Sequence, residues 1–297
     1  MGHIHAHGGA RHRGRLAAVL ATSVAMLLVE VAGGLATGSL ALLADAGHLL
    51  TDVAGLTLAL LAIWFGARPA TSERTYGYYR LEILAAVANA VLLLGVAAGI
   101  LLEAWRRLAA PPPLRAGWML AVALLGLAAN ATALYLLRGR GGQSLNVRGA
   151  QLEVLGDLLG SGAVVVAAAV VATTGARVAD PLASALVALL ILPRTWKLLR
   201  EAVDVLLEAV PKHLDLREVR AHLSGTPGVA DVHDLHAWTI TSGLDVVSAH
   251  IVLAPGASPA TVLDRLCACL AGHFDVEHST LQLETADRRR LESMQHP

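Results

Sequence analysis

The sequence predicts an α-helical membrane protein with six transmembrane helices, followed by a small soluble α+β domain. Of its 297 residues, 55% are hydrophobic and only 15% are charged. Stretches with few charges occupy residues 16–66, 81–137 and 150–193. Each is longer than the roughly 20 apolar residues that a helix needs to cross a bilayer core. From about residue 194 the chain is markedly more polar, which predicts a second domain of about 90 residues.

Breaks at glycine, proline and threonine divide the apolar stretches into helices. Pro111–Pro113 and Gly139–Gly142 are two of these breaks. Six helices place both ends of the chain on one side of the membrane. Arginines cluster before the first helix and after the second and fourth, so the positive-inside rule predicts cytoplasmic termini, although Arg106, Arg107 and Arg115 oppose this orientation. The predicted spans are 16–36, 41–65, 80–107, 116–137, 149–173 and 179–198.

The polar region predicts the order helix, strand, strand, helix, strand. The glycine of Thr241-Ser242-Gly243 favours a turn between the first two strands. The predicted elements are Leu214–Leu223, Ala230–Ile240, Asp245–Leu253, Pro259–Ala271 and Val276–Glu284. The predicted domains are a tail at 1–15, a membrane domain at 16–200, a cytoplasmic domain at 201–288 and a second tail at 289–297.

Two pairs of ionisable residues lie four positions apart inside the apolar stretches: His48 with Asp52, and Glu153 with Asp157. That spacing puts each pair on one helix face, so two facing helices can offer four ligands to one cation. The alternative is that polar groups join helices by hydrogen bonds, which accounts for Asn89, Asn130 and Glu30. It accounts poorly for three carboxylates and an imidazole, because burying like charges without a counter-ion costs several kcal/mol.

A divalent cation would supply the missing positive charge, and protons would take its place when no metal is bound. Metal and protons would therefore compete for one site, which is what a metal-proton exchanger needs. Asp45 lies three residues before His48 and is either a partner of the ligands, a proton relay or a plain helix-end polar group.

Four segments together resemble the cation diffusion facilitators, a family of metal-proton antiporters of the zinc transporter type. The segments are Gly38–Asp52 (GSLALLADAGHLLTD), Thr75–Ala86 (TYGYYRLEILAA), Val154–Ser161 (VLGDLLGS) and Val232–Ile240 (VHDLHAWTI). The resemblance covers nearly the whole chain. It implies a multi-pass transporter of the bacterial cell membrane that exports metal by alternating access, driven by external protons.

The resemblance assigns the transport site to His48, Asp52, Glu153 and Asp157. Many zinc-transporting relatives have histidine where Glu153 stands, so this site is richer in oxygen and discriminates less against cobalt, manganese or iron. Zinc is the first candidate, followed by cobalt and cadmium. Tyr79 occupies a position that is often histidine in relatives, so we expect no metal site in the loop after the second helix.

The order of the soluble elements matches the family's ferredoxin-like αββαβ cytoplasmic domain, which dimerises and in several members binds regulatory metal. The resemblance favours His233, His250 and Glu284 as its metal ligands, with His236 and His278 in reserve. The alternative is that these are scattered surface histidines. The same likeness predicts a homodimer whose metal-loaded cytoplasmic domain biases transport.

Other features of the sequence give weaker indications of function. The tail residues His3, His5, His7 and His12 either capture metal loosely or belong to a disordered polar tail. Cys267 and Cys269 would point about 200 degrees apart on a helix, which favours packing residues or free thiols over a shared metal site. We expect no prosthetic group, and the zero net charge argues against nucleic-acid binding.

Two rival functions are a membrane metalloenzyme and a membrane metal sensor. The enzyme would need a catalytic water and a general base, but the His-Glu-x-x-His signature is absent from the sequence. A sensor would not need four ligands at bilayer depth.

Overall fold

The computed structural model describes residues 9–66, 68–138 and 145–289, without the side chains of 9–19, 145–153 and some positions of the second and fourth helices. The chain forms two compact units. The first comprises Met1–Ile63 and Ala85–Leu199, and the second comprises Trp64–Leu84 and Arg200–Pro297. The predicted boundary near residue 200 therefore leaves out the segment before the third helix, which groups with the polar part of the chain.

Long helices occupy each of the six predicted spans. Glycines with a left-handed backbone follow two of them, since Gly38 has a φ of 78° and Gly175 a φ of 72°. Pro193 lies inside the last helix, as membrane helices tolerate. The helices are α1 (Gly9–Thr37), α2 (Leu40–Gly66), α3 (Arg80–Ala109), α4 (Ala116–Arg138), α5 (Leu145–Thr174) and α6 (Ala179–Leu206).

Within the described residues, four helical segments are long and apolar enough to cross a membrane, and a shorter apolar segment covers Ala116–Thr132 in α4. The four are Leu20–Thr37, Arg80–Ala109, Val154–Thr174 and Ala179–Leu206. A helical membrane domain followed by a small mixed domain was predicted, and this fold class is confirmed. The count of six crossings stays a prediction.

Small residues let the helices of the first unit approach closely. A Cβ on Gly33 would lie 3.0 Å from the Val122 side chain, which brings α1 against α4. The buried core of this unit is correspondingly rich in alanine, with Ala41, Ala44, Ala97, Ala123, Ala167, Ala168 and Ala188 among its members.

A buried carboxylate holds the start of α2. The Asp180 side chain, on the first turn of α6, accepts hydrogen bonds from the Ser39 hydroxyl at 2.6 Å and the Leu40 amide at 2.8 Å. It also accepts from the Ala41 amide at 3.1 Å. The first amides of a helix have no partner inside the helix, so Asp180 satisfies them and places its negative charge at the positive end of the helix dipole.

The second unit contains a three-stranded sheet in the order β1-β2-β3. Strands β1 and β2 are antiparallel, and β2 and β3 are parallel. The predicted order of elements is confirmed, with a short final helix added. The elements are α7 (Leu216–Ser224), β1 (Val229–Thr241), β2 (Leu244–Leu253), α8 (Pro259–Phe274), β3 (His278–Glu284) and α9 (Ala286–Arg289).

Alternation along β2 separates the two faces of this sheet. Val247, Ala249 and Ile251 join the core that α7 and α8 form on one face. His250 alternates with them and therefore points to the opposite face. The helices contribute Val219, Leu223, Val262, Leu266 and Leu270 to the core.

The start of α3 is tied to this unit by side-chain hydrogen bonds. Glu82 accepts from the hydroxyls of Thr241 at 2.5 Å and Ser242 at 2.9 Å, both in the turn between β1 and β2. Arg80 pairs with Glu208 at 2.7 Å. These contacts explain why the start of α3 groups with the sheet rather than with the helices of the first unit.

Candidate metal centres

Helices α2 and α5 bring three predicted ligands together. His48 Nε2 lies 2.5 Å from Asp157 Oδ1 and 3.9 Å from Asp52 Oδ2. One ligand atom from each of the three residues lies within 4.8 Å of the others. We call these three residues the membrane cluster. Because His48 and Asp52 are one helical turn apart, the spacing on α2 supplies two donors and α5 supplies the third.

The fourth predicted ligand, Glu153, lies on α5 one turn before Asp157, and its side chain is outside the described part of the structure. The three described donors comprise one imidazole and two carboxylates. Their side chains are 12%, 29% and 17% exposed for His48, Asp52 and Asp157. Partly desolvated oxygens and nitrogen at these distances provide a ligand set for a divalent cation of the zinc or cobalt kind.

A chain of hydrogen bonds leads from Asp45 to two other helices. Asp45 is buried on α2, and its Oδ2 accepts from the Ser161 hydroxyl of α5 at 2.9 Å. The Asn130 amide of α4 donates to the same hydroxyl at 3.0 Å. Asp45 is thus held by α5 one turn from His48, and Asn130 joins helices as the hydrogen-bond alternative predicts.

Asn89 also joins helices, since its amide donates to the Thr51 carbonyl of α2 at 3.3 Å. Glu30 is buried on α1 against α4, where a Cβ on Gly126 would lie 2.8 Å from Glu30 Oε1. The predicted hydrogen bond between helices is therefore observed for Asn89, and for Glu30 it stays a prediction.

The second unit brings together His233, His250 and Glu284, which we call the sheet cluster. His250 Nδ1 lies 3.0 Å from Glu284 Oε1, and His233 Nε2 lies 3.4 Å from Glu284 Oε2. The two imidazole rings are 5.1 Å apart between centroids. The Glu284 side chain is only 1% exposed, so the cluster combines two imidazoles with a carboxylate in a largely dry place on the sheet.

Strand register produces this convergence. His233 of β1 pairs directly with His250 of β2, and Val252 of β2 pairs with Glu284 of β3. The pairing of β1 with β2 shifts between His233 and His236, where Asp234 has a φ of 49°. This bulge turns the chain so that both His233 and Asp234 face His250, whose Nε2 is 3.8 Å from Asp234 Oδ2.

The two reserve histidines lie outside the sheet cluster. His236 Nε2 is 3.1 Å from Asp234 Oδ1, beside the cluster but on an exposed side chain. The ring of His278 packs against that of Tyr76, with 6.3 Å between centroids. The tail residues His3, His5 and His7 and the side chain of His12 are outside the described part of the chain.

A third group was missed by sequence reasoning. His222, Cys269 and His273 offer ligand atoms that all lie within 4.8 Å of one another. The signal was present, because Cys269 and His273 have the same four-residue spacing that identified His48 and Asp52.

Comparisons with known proteins agree with the motifs in the sequence. Residues 16–207 match the cation efflux transmembrane domain, and residues 211–286 match the cytoplasmic domain of cation efflux proteins. The metal cation efflux system protein CzcD of Cupriavidus metallidurans is 45% identical over 99% of this chain and 93% of its own length.

Two further relatives are similar over a comparable extent. The zinc transporter ZitB of Escherichia coli is 41% identical over 96% of this chain and 93% of its own length. A cadmium, cobalt and zinc/H(+)-K(+) antiporter of Bacillus velezensis is 36% identical over 96% of this chain and 93% of its own length.

Proposed function

Because the chain belongs to the cation efflux family, we propose that it exports divalent transition metals, with zinc as the first substrate and cobalt and cadmium as further ones. The family resemblance drawn from the sequence is confirmed. Relatives named for zinc, cobalt and cadmium support this choice of metals. The family consists of transporters, so the metalloenzyme alternative is set aside.

The observation that carries the proposal is the meeting of His48 and Asp157 across two helices, 2.5 Å apart, with Asp52 beside them. Charged groups at membrane depth are costly unless a partner or an ion compensates them. Glu153, one turn from Asp157, would complete a set of four ligands. With three carboxylates and one imidazole, the site would bind cobalt and manganese more readily than a site with two imidazoles.

Exchange for protons follows from the same contact. The hydrogen bond between His48 Nε2 and Asp157 Oδ1 needs a hydrogen between the two atoms. A metal ion bound to both must displace it, so metal binding releases protons and protons release metal. Because the ligands sit on two helices, a movement of α5 against α2 would separate the donors and open the site to one side at a time.

We place both termini in the cytoplasm of a bacterial cell, with the protein in the cell membrane. The clustering of arginine before α1 and after α2 and α4 supports this orientation. Arg107, one of the residues that oppose it, has a structural role. It donates to the Gly38 carbonyl at 2.7 Å at the end of α1 and pairs with Glu103 at 2.9 Å.

The cytoplasmic domain would pair two copies of the chain and sense metal through the sheet cluster. The match of residues 211–286 to the family's cytoplasmic domain supports the homodimer. Two imidazoles beside the nearly inaccessible carboxylate of Glu284 support an ion that stays bound rather than one that is transported.

The test is zinc flux into proteoliposomes under an imposed pH gradient, for the parent protein and for Asp157→Ala. We expect gradient-driven flux in the parent and none above background in the variant. The matched control is Glu103→Gln. Glu103 is a carboxylate of the same helical unit, but it pairs with Arg107 and lies outside the membrane cluster. Equal flux in the parent and Asp157→Ala, or no flux in well-folded parent protein, would refute the proposal.

A further inference from the structure

The pair of helices that covers the sheet carries a ligand set that the transport proposal does not use. We call His222, Cys269 and His273 the helix-pair cluster. Cys269 and His273 lie one turn apart on α8, and His222 lies on the last turn of α7. Cys269 Sγ is 3.9 Å from His222 Nδ1, and the two imidazole rings are 5.0 Å apart between centroids.

From these contacts we propose that the helix-pair cluster is a further metal site, which binds zinc or cadmium through one thiolate and two imidazoles. Zinc accepts cysteine sulfur and histidine nitrogen in tetrahedral sites, and three protein ligands leave a fourth position for water or another donor. Sulfur also favours softer metals than the oxygen-rich membrane cluster does. The helix-pair cluster would therefore favour softer metals more strongly than the membrane cluster does.

A hydrogen bond decides which nitrogen of the α8 histidine is available to a metal. His273 Nδ1 lies 3.2 Å from the Cys269 carbonyl oxygen, and a carbonyl can only accept a hydrogen bond. Nδ1 therefore carries the hydrogen, and Nε2 keeps its lone pair for a metal. Metal-binding histidines commonly have their second nitrogen fixed by a carbonyl in this way.

The two cysteines of α8 differ in their contacts. Cys269 is partly buried, and its sulfur lies 3.9 Å from His222 Nδ1. Cys267, two residues earlier, is exposed, and its sulfur lies 3.8 Å from the Ser279 hydroxyl instead. Within the part of the chain that the structure describes, Cys269 therefore faces His222 and His273, whereas Cys267 contacts Ser279.

The helix-pair cluster is separate from the sheet cluster. Leu270 and Leu223, next to Cys269 and His222, belong to the core between the helices and the sheet. His250 points to the opposite face of that sheet, with Glu284. A metal on the helix pair would thus be a second ion in this domain, and it would tie the end of α7 to the end of α8.

A simpler account also exists. Histidines on the last turn of a helix are favoured by the helix dipole, and His222 and His273 both occupy that position. That account gives no role to the sulfur. The experiment must therefore ask whether Cys269 binds metal.

The experiment is a cobalt titration of the purified full-length protein, followed by optical absorption. Thiolate bound to cobalt gives a charge-transfer band that oxygen and nitrogen ligands do not give, and the chain has only two cysteines. The membrane and sheet clusters contain no sulfur and cannot produce this band. We expect a saturable band in the parent that disappears in Cys269→Ala and persists in Cys267→Ala.

Two histidine variants and a labelling assay complete the test. His222→Ala and His273→Ala should each weaken the cobalt affinity measured by this band by about tenfold or more. Zinc or cadmium should slow maleimide labelling of Cys269 and leave that of Cys267 unchanged. A parent without the band, or a band that requires Cys267, would overturn the proposal. Because the readout is binding, its failure would leave the transport proposal standing, and a failure of transport would leave this one standing.

Discussion

The membrane cluster and the sheet cluster are both built from imidazole and carboxylate, but they differ in access and in donor balance. In the membrane cluster Asp52 and Asp157 are 29% and 17% exposed, and oxygen donors predominate. In the sheet cluster Glu284 is 1% exposed and contacts two imidazoles. The more accessible, oxygen-rich membrane cluster suits an ion that must bind and be released. The enclosed sheet cluster suits an ion that remains bound.

The largest effect is expected from the imidazole of the membrane cluster. His48→Gln should lower the maximal zinc flux by about 100-fold or more, because His48 contacts both carboxylates and a ligand at membrane depth has no substitute. The measurement is initial flux at saturating zinc in proteoliposomes. Asn89→Ala is the control, since it removes only a hydrogen bond to the Thr51 carbonyl. Comparable flux in His48→Gln and the control would contradict the assignment of transport to the membrane cluster.

A change in the sheet cluster should act on concentration dependence instead. For His233→Ala combined with His250→Ala, we expect about a tenfold higher zinc concentration at half-maximal flux with the maximal rate nearly kept. The reason is that this cluster would bias the transporter between its states without touching the transported ion. The readout is flux across a series of zinc concentrations, and an unchanged curve would rule out a regulatory role.

Asp180 and Asp157 should respond differently to substitution, because Asp180 caps a helix and we propose that Asp157 binds metal. Asp180→Ala leaves the Ser39 hydroxyl and two α2 amides without their acceptor, which should lower stability by about 3 kcal/mol. Asp157→Ala should instead abolish zinc binding at the membrane cluster with a smaller loss of stability. Thermal unfolding with and without zinc distinguishes them in a background that also carries His233→Ala, His250→Ala and Cys269→Ala, which removes the other proposed zinc sites: only the Asp180 variant should keep the increase in Tm that zinc causes. Zinc stabilisation lost in both would contradict a purely structural Asp180.

Glu153→His tests the donor balance within the membrane cluster. An added imidazole should shift the ratio of zinc to cobalt flux several-fold toward zinc, because it replaces a harder oxygen donor. The paired measurement uses the same liposomes with each metal in turn. Glu153→Asp, which keeps the oxygen donor, should leave the ratio near that of the parent, and a ratio unmoved in the histidine variant would remove Glu153 from the site.

The smallest effect concerns the pH dependence of the soluble unit. Asp215 caps α7, and the Arg217 amide holds the pKa of its carboxyl below the ordinary value. A lowered folded-state pKa contributes stability above the unfolded-state pKa of about 3.9, and this is lost as the pH falls through the folded-state pKa. Asp215→Asn keeps a good cap and should flatten the acid slope of Tm below about pH 5 while leaving neutral stability almost unchanged. An identical acid slope would show that other groups cause it.

The sequence was most informative where one helix supplies the geometry. His48 and Asp52 are neighbours because four residues make about one turn, and that needs no knowledge of the fold. The approach of Asp157 to His48 depends on how α2 packs against α5; the spacing of the two pairs made it possible for facing helices, and the family resemblance assigned it.

Contacts between residues far apart in the chain could not be predicted from local sequence patterns. The meeting of His233 with His250 depends on strand register and on a bulge at Asp234, neither of which leaves a readable pattern. Asp180 caps a helix that starts 140 residues earlier in the chain, so no local signal marks it. The proximity of His222 to Cys269 likewise arises only when α7 and α8 pack on the same sheet face.

The most direct measurement is zinc-driven proton movement in proteoliposomes that contain a trapped pH indicator. We expect a zinc gradient to move protons in the opposite direction in the parent and in His250→Ala at saturating zinc, and to move none in Asp157→Ala. Proton movement that survives in Asp157→Ala but fails in His250→Ala would contradict the assignment of transport to the membrane cluster.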